Sequence, residues 1–192
     1  SPAHSQEKAA ESVSLFNGKD LSGWIGRADL WSVEQGQIVG RTVAEKPLQQ
    51  NTFLIYTESE PADFELTFQF KIENTNSGVQ YRSKIVDADK HVLTGYQADL
   101  HPNQDYFGML YGEKLKERGI IAKRGQELVV PATGKPEVTG IVGNQTELTD
   151  DAWNELRIVA VGNRLIHQVN GVTTVDVTDN HPEAAARGSL GL

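Results

Sequence analysis

Cysteine is absent from the chain, which excludes disulfides, thiolate-bound zinc and cysteine nucleophiles together. Long apolar runs are missing too. None approaches the roughly 20 residues that cross a bilayer as a helix, so no membrane span is expected. Basic charge is scarce: Lys and Arg number 18 against 26 Asp and Glu, a formal charge of −8. Without a basic stripe there is no track for a phosphate backbone. Nucleic acid is therefore not an expected partner, and neutral sugars suit such a surface better. Gly134-Lys135 lacks the upstream glycine and the following hydroxyl of a phosphate loop. No G-x-G-x-x-G leads from a strand into a helix, and no G-x-S-x-G elbow occurs. His4, His91, His101, His167 and His181 show no zinc-like spacing. Asn144-Gln145-Thr146 is formally a glycosylation sequon, but such a triplet is too common to carry weight.

What the chain does have is alternation. From Phe64 to Glu73, Phe64, Leu66, Phe68, Phe70 and Ile72 fall on one parity and Glu65, Thr67, Gln69, Lys71 and Glu73 on the other. A period of two is that of a strand with one face in a core and one face open. Trp31–Glu34, Gln37–Val43, Phe53–Thr57, Val79–Lys84, Gly95–Leu100 and Trp153–Val161 read as further strands. Arg164–Val169 and Val172–Val177 flank Asn170-Gly171, a strong hairpin signal because both turn positions take positive φ. Short strands at this spacing predict an all-β sandwich of two antiparallel sheets, of jelly-roll type. Pro182–Arg187 is the one stretch that reads as a helix, and Gly125–Asp151 reads as a long loop or a β-excursion at the rim. Trp24, Trp31 and Trp153 read as core anchors. The 192 residues suit one such domain. Residues 1–12 read as a flexible leader, the stub of a removed signal peptide, and residues 13–192 as the domain. Export to the periplasm or the extracellular space follows as an inference.

An ordered set of motifs then carries a resemblance. It opens with Leu15-Phe16-Asn17-Gly18-Lys19-Asp20-Leu21-Ser22-Gly23-Trp24 and continues with Asn76-Ser77-Gly78-Val79-Gln80-Tyr81-Arg82 and Gly95-Tyr96-Gln97-Ala98-Asp99. Gly108-Met109-Leu110-Tyr111-Gly112-Glu113, Arg118-Gly119-Ile120-Ile121-Ala122 and Trp153-Asn154-Glu155-Leu156-Arg157-Ile158 follow. Gly162-Asn163-Arg164-Leu165-Ile166-His167-Gln168-Val169-Asn170-Gly171-Val172 completes the set. Together they resemble the bacterial 3-keto-disaccharide hydrolase domain family. The resemblance implies a concanavalin A-like jelly roll that binds glycans across its concave sheet. Relatives usually continue past Gly188-Ser189-Leu190-Gly191-Leu192 with a Gln-x-His segment and a closing strand, which this sequence lacks.

Parity picks out side chains independently of that likeness. Gln80 and Arg82 point one way on their strand, and Gln97, Asp99 and His101 share a side of theirs. If these strands share a sheet with Phe64–Glu73, one face gathers Glu65, Gln80, Arg82, Gln97 and Asp99. Tyr111 and Glu113 follow in a loop that could cap the face, and His167 has Leu165 and Val169 in its parity. The resemblance implies a sugar already oxidised at C3, whose ketone acidifies the C2 hydrogen. Cleavage then needs a base, a group for the enolate oxygen and an acid for the leaving group. Asp99 or Glu113 is the expected base, Arg82 the enolate stabiliser, and His167 or Tyr111 the acid. Glu65, Gln80, Gln97 and Tyr111 are the expected substrate contacts. No cofactor is expected, a bound divalent cation stays open, and oligomeric state is not readable. The alternative is a non-catalytic, lectin-like carbohydrate-binding module; a purely structural surface domain fits the polar stripe least.

Overall fold

A computed structural model of the chain describes residues 12–143 and 152–192. The sequon at Asn144 and all of the leader but Ser12 lie outside the described residues. Seven strands form one sheet in the spatial order β1 (Trp24–Ile25), β4 (Ile55–Tyr56), β15 (Ser189–Gly191), β6 (Ser77–Asp87), β7 (Val92–Leu100), β8 (Leu110–Glu113) and β9 (Ile120–Ala122). Six form the facing sheet: β11 (Glu137–Ile141), β10 (Gln126–Val130), β14 (Val172–Asp179), β13 (Arg164–Val169), β12 (Asn154–Val161) and β5 (Phe64–Phe70). β2 (Trp31–Glu34) and β3 (Gln37–Gly40) make a separate hairpin. Among the described residues the pairing is antiparallel except between β10 and β14, which run parallel with Gln126 beside Val175.

Alternation builds the layers. Phe64, Leu66, Phe68 and Phe70 of β5 turn inward beside Leu156 and Ile158 of β12, while Glu65, Thr67 and Gln69 stay exposed. Val79, Tyr81, Tyr96, Ala98 and Leu110 meet them from the seven-stranded sheet. Each buried apolar side chain of this size contributes about 1.5–3 kcal/mol. Asn170 and Gly171 both take positive φ, 50° and 78°, and close the β13–β14 hairpin as expected.

Four expectations are corrected. β5 belongs to the six-stranded sheet, where it pairs with β12, and not to the sheet of β6 and β7. Glu65 therefore lies on the outer surface of the opposite layer, in an ion pair with Arg157 at 2.6 Å. Both sheets have the same period of two, so parity alone could not decide which sheet β5 joins. Second, Tyr111 and Glu113 lie on strand β8 and not in a capping loop; of the two readings of Gly125–Asp151, the β-excursion holds in the described part, which contributes β10 and β11. Third, Pro182–Arg187 forms no helix. The Ala185 N–H donates to Tyr96 Oη and its carbonyl accepts from Arg82, so tertiary partners replace a helical ladder. Fourth, Trp153 is 45% exposed beneath Lys71 rather than in the core. Trp24, partly buried, does pack against the core, its ring 5.0 Å from that of Tyr56 and tilted 57° to it, with its indole N–H given to the Leu15 carbonyl.

Candidate functional site

The outward face of the seven-stranded sheet collects polar side chains by register. Gln80 of β6 stands beside Gln97 of β7, which stands beside Tyr111 of β8. Asp99 lies two residues beyond Gln97 opposite Gly78, and Glu113 two beyond Tyr111 opposite Gly95. A Cβ at position 78 would sit 2.5 Å from the Gln97 side chain, so glycine there lets the amide lie against the backbone. The face is not open to water. The chain between β3 and β4 crosses over it, and Asn51 of that crossing donates to Glu113 Oε2 at 3.1 Å. Asp99 and Glu113 are each 6% exposed and Gln80 is fully buried.

The polar groups form a chain. Ser83 Oγ donates to Gln80 Oε1 at 2.7 Å, Gln80 Nε2 to Gln97 Oε1 at 2.7 Å, and Gln97 Nε2 to Asp99 Oδ1 at 2.6 Å. Burial pushes the Asp99 carboxyl up to about 6; the Gln97 amide opposes that rise and the nearby Glu113 carboxylate adds to it. Ionising Asp99 in place thus costs about 3 kcal/mol relative to water. A carboxyl that titrates this close to neutrality can both take and return a proton. A cavity of about 150 Å³ lies above Gln97 and Gly78, bounded by Asn51, Arg41 and Thr42 of the covering segment. A larger cleft of about 940 Å³ opens between the β2–β3 hairpin and β5. Its walls are mainly apolar, among them Trp24, Leu66, Phe68, Phe70 and Leu192, and neither opening is lined by Asp99 or Glu113. The polar face reaches the smaller cavity through Gln97, with Asn51 across from it, and Asp99 is hydrogen-bonded directly behind Gln97. No group of three or more metal-ligating side chains occurs among the described residues.

Gln80, Gln97, Asp99, Tyr111 and Glu113 thus share one face, with Asp99 and Glu113 on opposite sides of the Gln97–Tyr111 pair, and three expected members are placed elsewhere. Arg82 has positive φ, 47°, where the β6–β7 register slips, so its side chain leaves the Gln80 face. It crosses to the other sheet and donates to the carbonyls of Ala62, Gly162 and Ala185, with Asp63 Oδ1 at 3.2 Å. Glu65 is on the far surface with Arg157. His167 points into the core, fully buried, with Nε2 2.8 Å from Tyr81 Oη and Nδ1 3.3 Å from the Gly108 carbonyl. The carbonyl accepts only, so Nδ1 carries the proton and Nε2 accepts from the tyrosine. Ser83 and Asn51 were not anticipated. Ser83 follows the register slip, and Asn51 sits in a segment with no periodicity.

Burial drives the His167 imidazole down to about 4, against an ordinary value of about 6.5. A group depressed in the fold contributes stability that is full above the unfolded value and is lost as pH falls toward the folded value. The loss is expected to reach about 3 kcal/mol between about pH 6.5 and 4. Urea denaturation across that range should show this slope in the native chain and a shallower one in His167→Gln. Equal slopes in both would remove His167 as its source.

The two-layer jelly roll with a covered polar floor defines a class of fold, and comparison with known proteins identifies the family. Residues 11–192 match the 3-keto-alpha-glucoside-1,2-lyase-like domain, and the chain belongs to that family. No curated protein matches it in sequence. Among solved structures it is similar to a candidate glycosyl hydrolase from Parabacteroides distasonis, at 20% identity and a TM-score of 0.59, covering 92% of this chain and 84% of that one. A second candidate glycosyl hydrolase from the same organism aligns at 18% identity and a TM-score of 0.56, covering 90% and 86%. The carbohydrate-binding module CBM66 of Bacillus subtilis aligns at 16% and 0.53, covering 88% and 85%. At these identities the likeness establishes the fold.

Proposed function

We propose that this chain cleaves glycosides already oxidised to the ketone at C3, with Asp99 as the base. The observation that supports this most is a single one: a carboxyl buried on the floor of the covered face and raised by that burial to titrate near neutrality, at about 6. Family membership supplies the substrate class. The C3 ketone acidifies the C2 hydrogen, and Asp99 removes that proton while the C–H electrons form the enolate. As the ketone re-forms, a C1–C2 double bond develops and the C1–O bond breaks, with its electrons leaving on the departing oxygen. Tyr111, on the same face one strand away from Gln97, hands that oxygen a proton. Water then adds across the new double bond. Asn51 gives one N–H to Glu113 and has a second to offer the enolate oxygen. Arg82 and His167 have no part in this scheme, because neither reaches the face.

The test sets a 3-keto-disaccharide against its unoxidised parent, both followed by NMR. Cleavage of the keto sugar alone is the expected result. Cleavage of the parent would replace elimination with ordinary two-carboxylate glycoside hydrolysis. Binding of either sugar without cleavage would make the chain a carbohydrate-binding module.

A further inference from the structure

The Ser83 hydroxyl has one proton and two acceptors within reach, Gln80 Oε1 at 2.7 Å and the Tyr81 carbonyl oxygen at 3.1 Å. The two amides between Ser83 and Asp99 each present a donor and an acceptor at opposite ends of the same plane, and turning the plane over exchanges them. Ser83, Gln80 and Gln97 are buried, so water cannot readily replace a lost partner, and an unpaired end would cost about 1–3 kcal/mol. The chain therefore has two arrangements in which every link from Ser83 to Asp99 is a donor–acceptor pair. In one, every donor points toward Asp99, which accepts as the carboxylate. In the other, Ser83 donates to Tyr81, Gln80 donates to Ser83, Gln97 donates to Gln80, and the protonated Asp99 donates to Gln97.

We propose that Ser83, Gln80 and Gln97 form a reversible hydrogen-bond wire whose direction turns over when Asp99 gains or loses a proton. The three are positioning residues: they keep Asp99 paired in both forms, so neither protonation state is stranded in a dry site. Acid–base work at one carboxyl needs both states to be accessible, and a one-way donor set would favour the anion alone. Glu113 of β8 is the charged neighbour that adds to the Asp99 rise. β6 places the uncharged Gly78 opposite Asp99. Arg41, over the cavity, is engaged by Glu34 at 2.8 Å. His101, just past the end of β7, accepts from the Asn103 N–H.

The catalytic meaning of the wire rests on Asp99 being the base, but its existence is measurable without substrate. Side-chain amide resonances of Gln80 and Gln97 should be followed by ¹H–¹⁵N NMR from about pH 4 to about pH 8, with the Asp99 carboxyl carbon in parallel. The wire requires both amides to move with one midpoint, that of Asp99, although Gln80 does not touch Asp99. In Asp99→Asn both responses should vanish. A stationary Gln80 amide while Asp99 titrates would overturn the wire, and so would a Gln80 response that survives in Asp99→Asn. In turnover of the 3-keto-disaccharide, Gln80→Met should lower kcat by about tenfold with KM within about twofold, a loss of transition-state pairing. A raised KM with unchanged kcat would overturn the positioning role. Co-titration of both amides in a protein that cleaves no glycoside would leave the wire standing and remove the proposed function.

Discussion

Asp99→Asn is expected to lower kcat on a 3-keto-glucoside by about 10²–10⁴-fold, the usual worth of a positioned general base. KM should change little, because asparagine keeps the size of the side chain and its oxygen can still accept from Gln97 Nε2, which now donates at 2.6 Å. The pH profile of the native chain's proposed activity tests the same residue from another side. A base must be ionised to act, so kcat/KM should rise with pH through a midpoint near the Asp99 value of about 6. That limb should be missing from the residual activity of Asp99→Asn. Folding is not the expected source of the loss: removing a charge that burial already disfavours leaves stability equal or higher. Near-native activity in Asp99→Asn would move the base to Glu113, the other carboxyl on the face. A profile that falls with rising pH through 6 would make Asp99 an acid instead.

Much of this site is legible in the sequence wherever a strand keeps its period. Gln80, Gln97 and Asp99 reach one face because β6 and β7 are regular up to Tyr81, and Gln80 and Gln97 are cross-strand partners. The parity mates of His167, Leu165 and Val169, are both buried in the core and marked its inward direction, while its residue type suggested an acid at the face that it does not reach. Three parts were hidden, each for a physical reason. A register slip occupies one residue and has no hydrophobic signature, so Arg82 reads as the next outward side chain after Gln80 when it is the residue that breaks the pattern. Sheet membership is a long-range property: Phe64–Phe70 announces a half-buried strand without naming the layer. Asn51 lies in an irregular crossing whose path is set by Phe53 packing with Ile55 and Leu93, contacts far apart in sequence. What local pattern encodes is the side of a strand, and what it leaves out is which surfaces the chain folds back to cover.

Arg82 is where the two ways of reading the chain make opposite forecasts. The sequence motif marks it as the enolate stabiliser, whereas its position makes it a clamp between layers. Its guanidinium is 1% exposed and binds three backbone carbonyls, at Ala62, Gly162 and Ala185. These lie ahead of β5, in the β12–β13 turn and in the link before β15. Its ion-pair partner Asp63 is 61% exposed, so the pair itself is worth little, and the carbonyl bonds carry the effect. A hydrogen bond to a charged group contributes about 1.5–3 kcal/mol, and each carbonyl left without a donor adds a desolvation cost. Arg82→Met keeps the stem and removes the fork, and it should cost about 4 kcal/mol in urea denaturation. That is a large part of the roughly 5–15 kcal/mol that holds an ordinary domain. Arg82→Lys should fall between, because one ammonium cannot span three acceptors set for a planar fork. Activity should follow the folded fraction in both variants, with KM unchanged for the molecules that fold. An Arg82→Met protein within about 1 kcal/mol of native stability but without turnover would return Arg82 to the chemistry and reject the clamp.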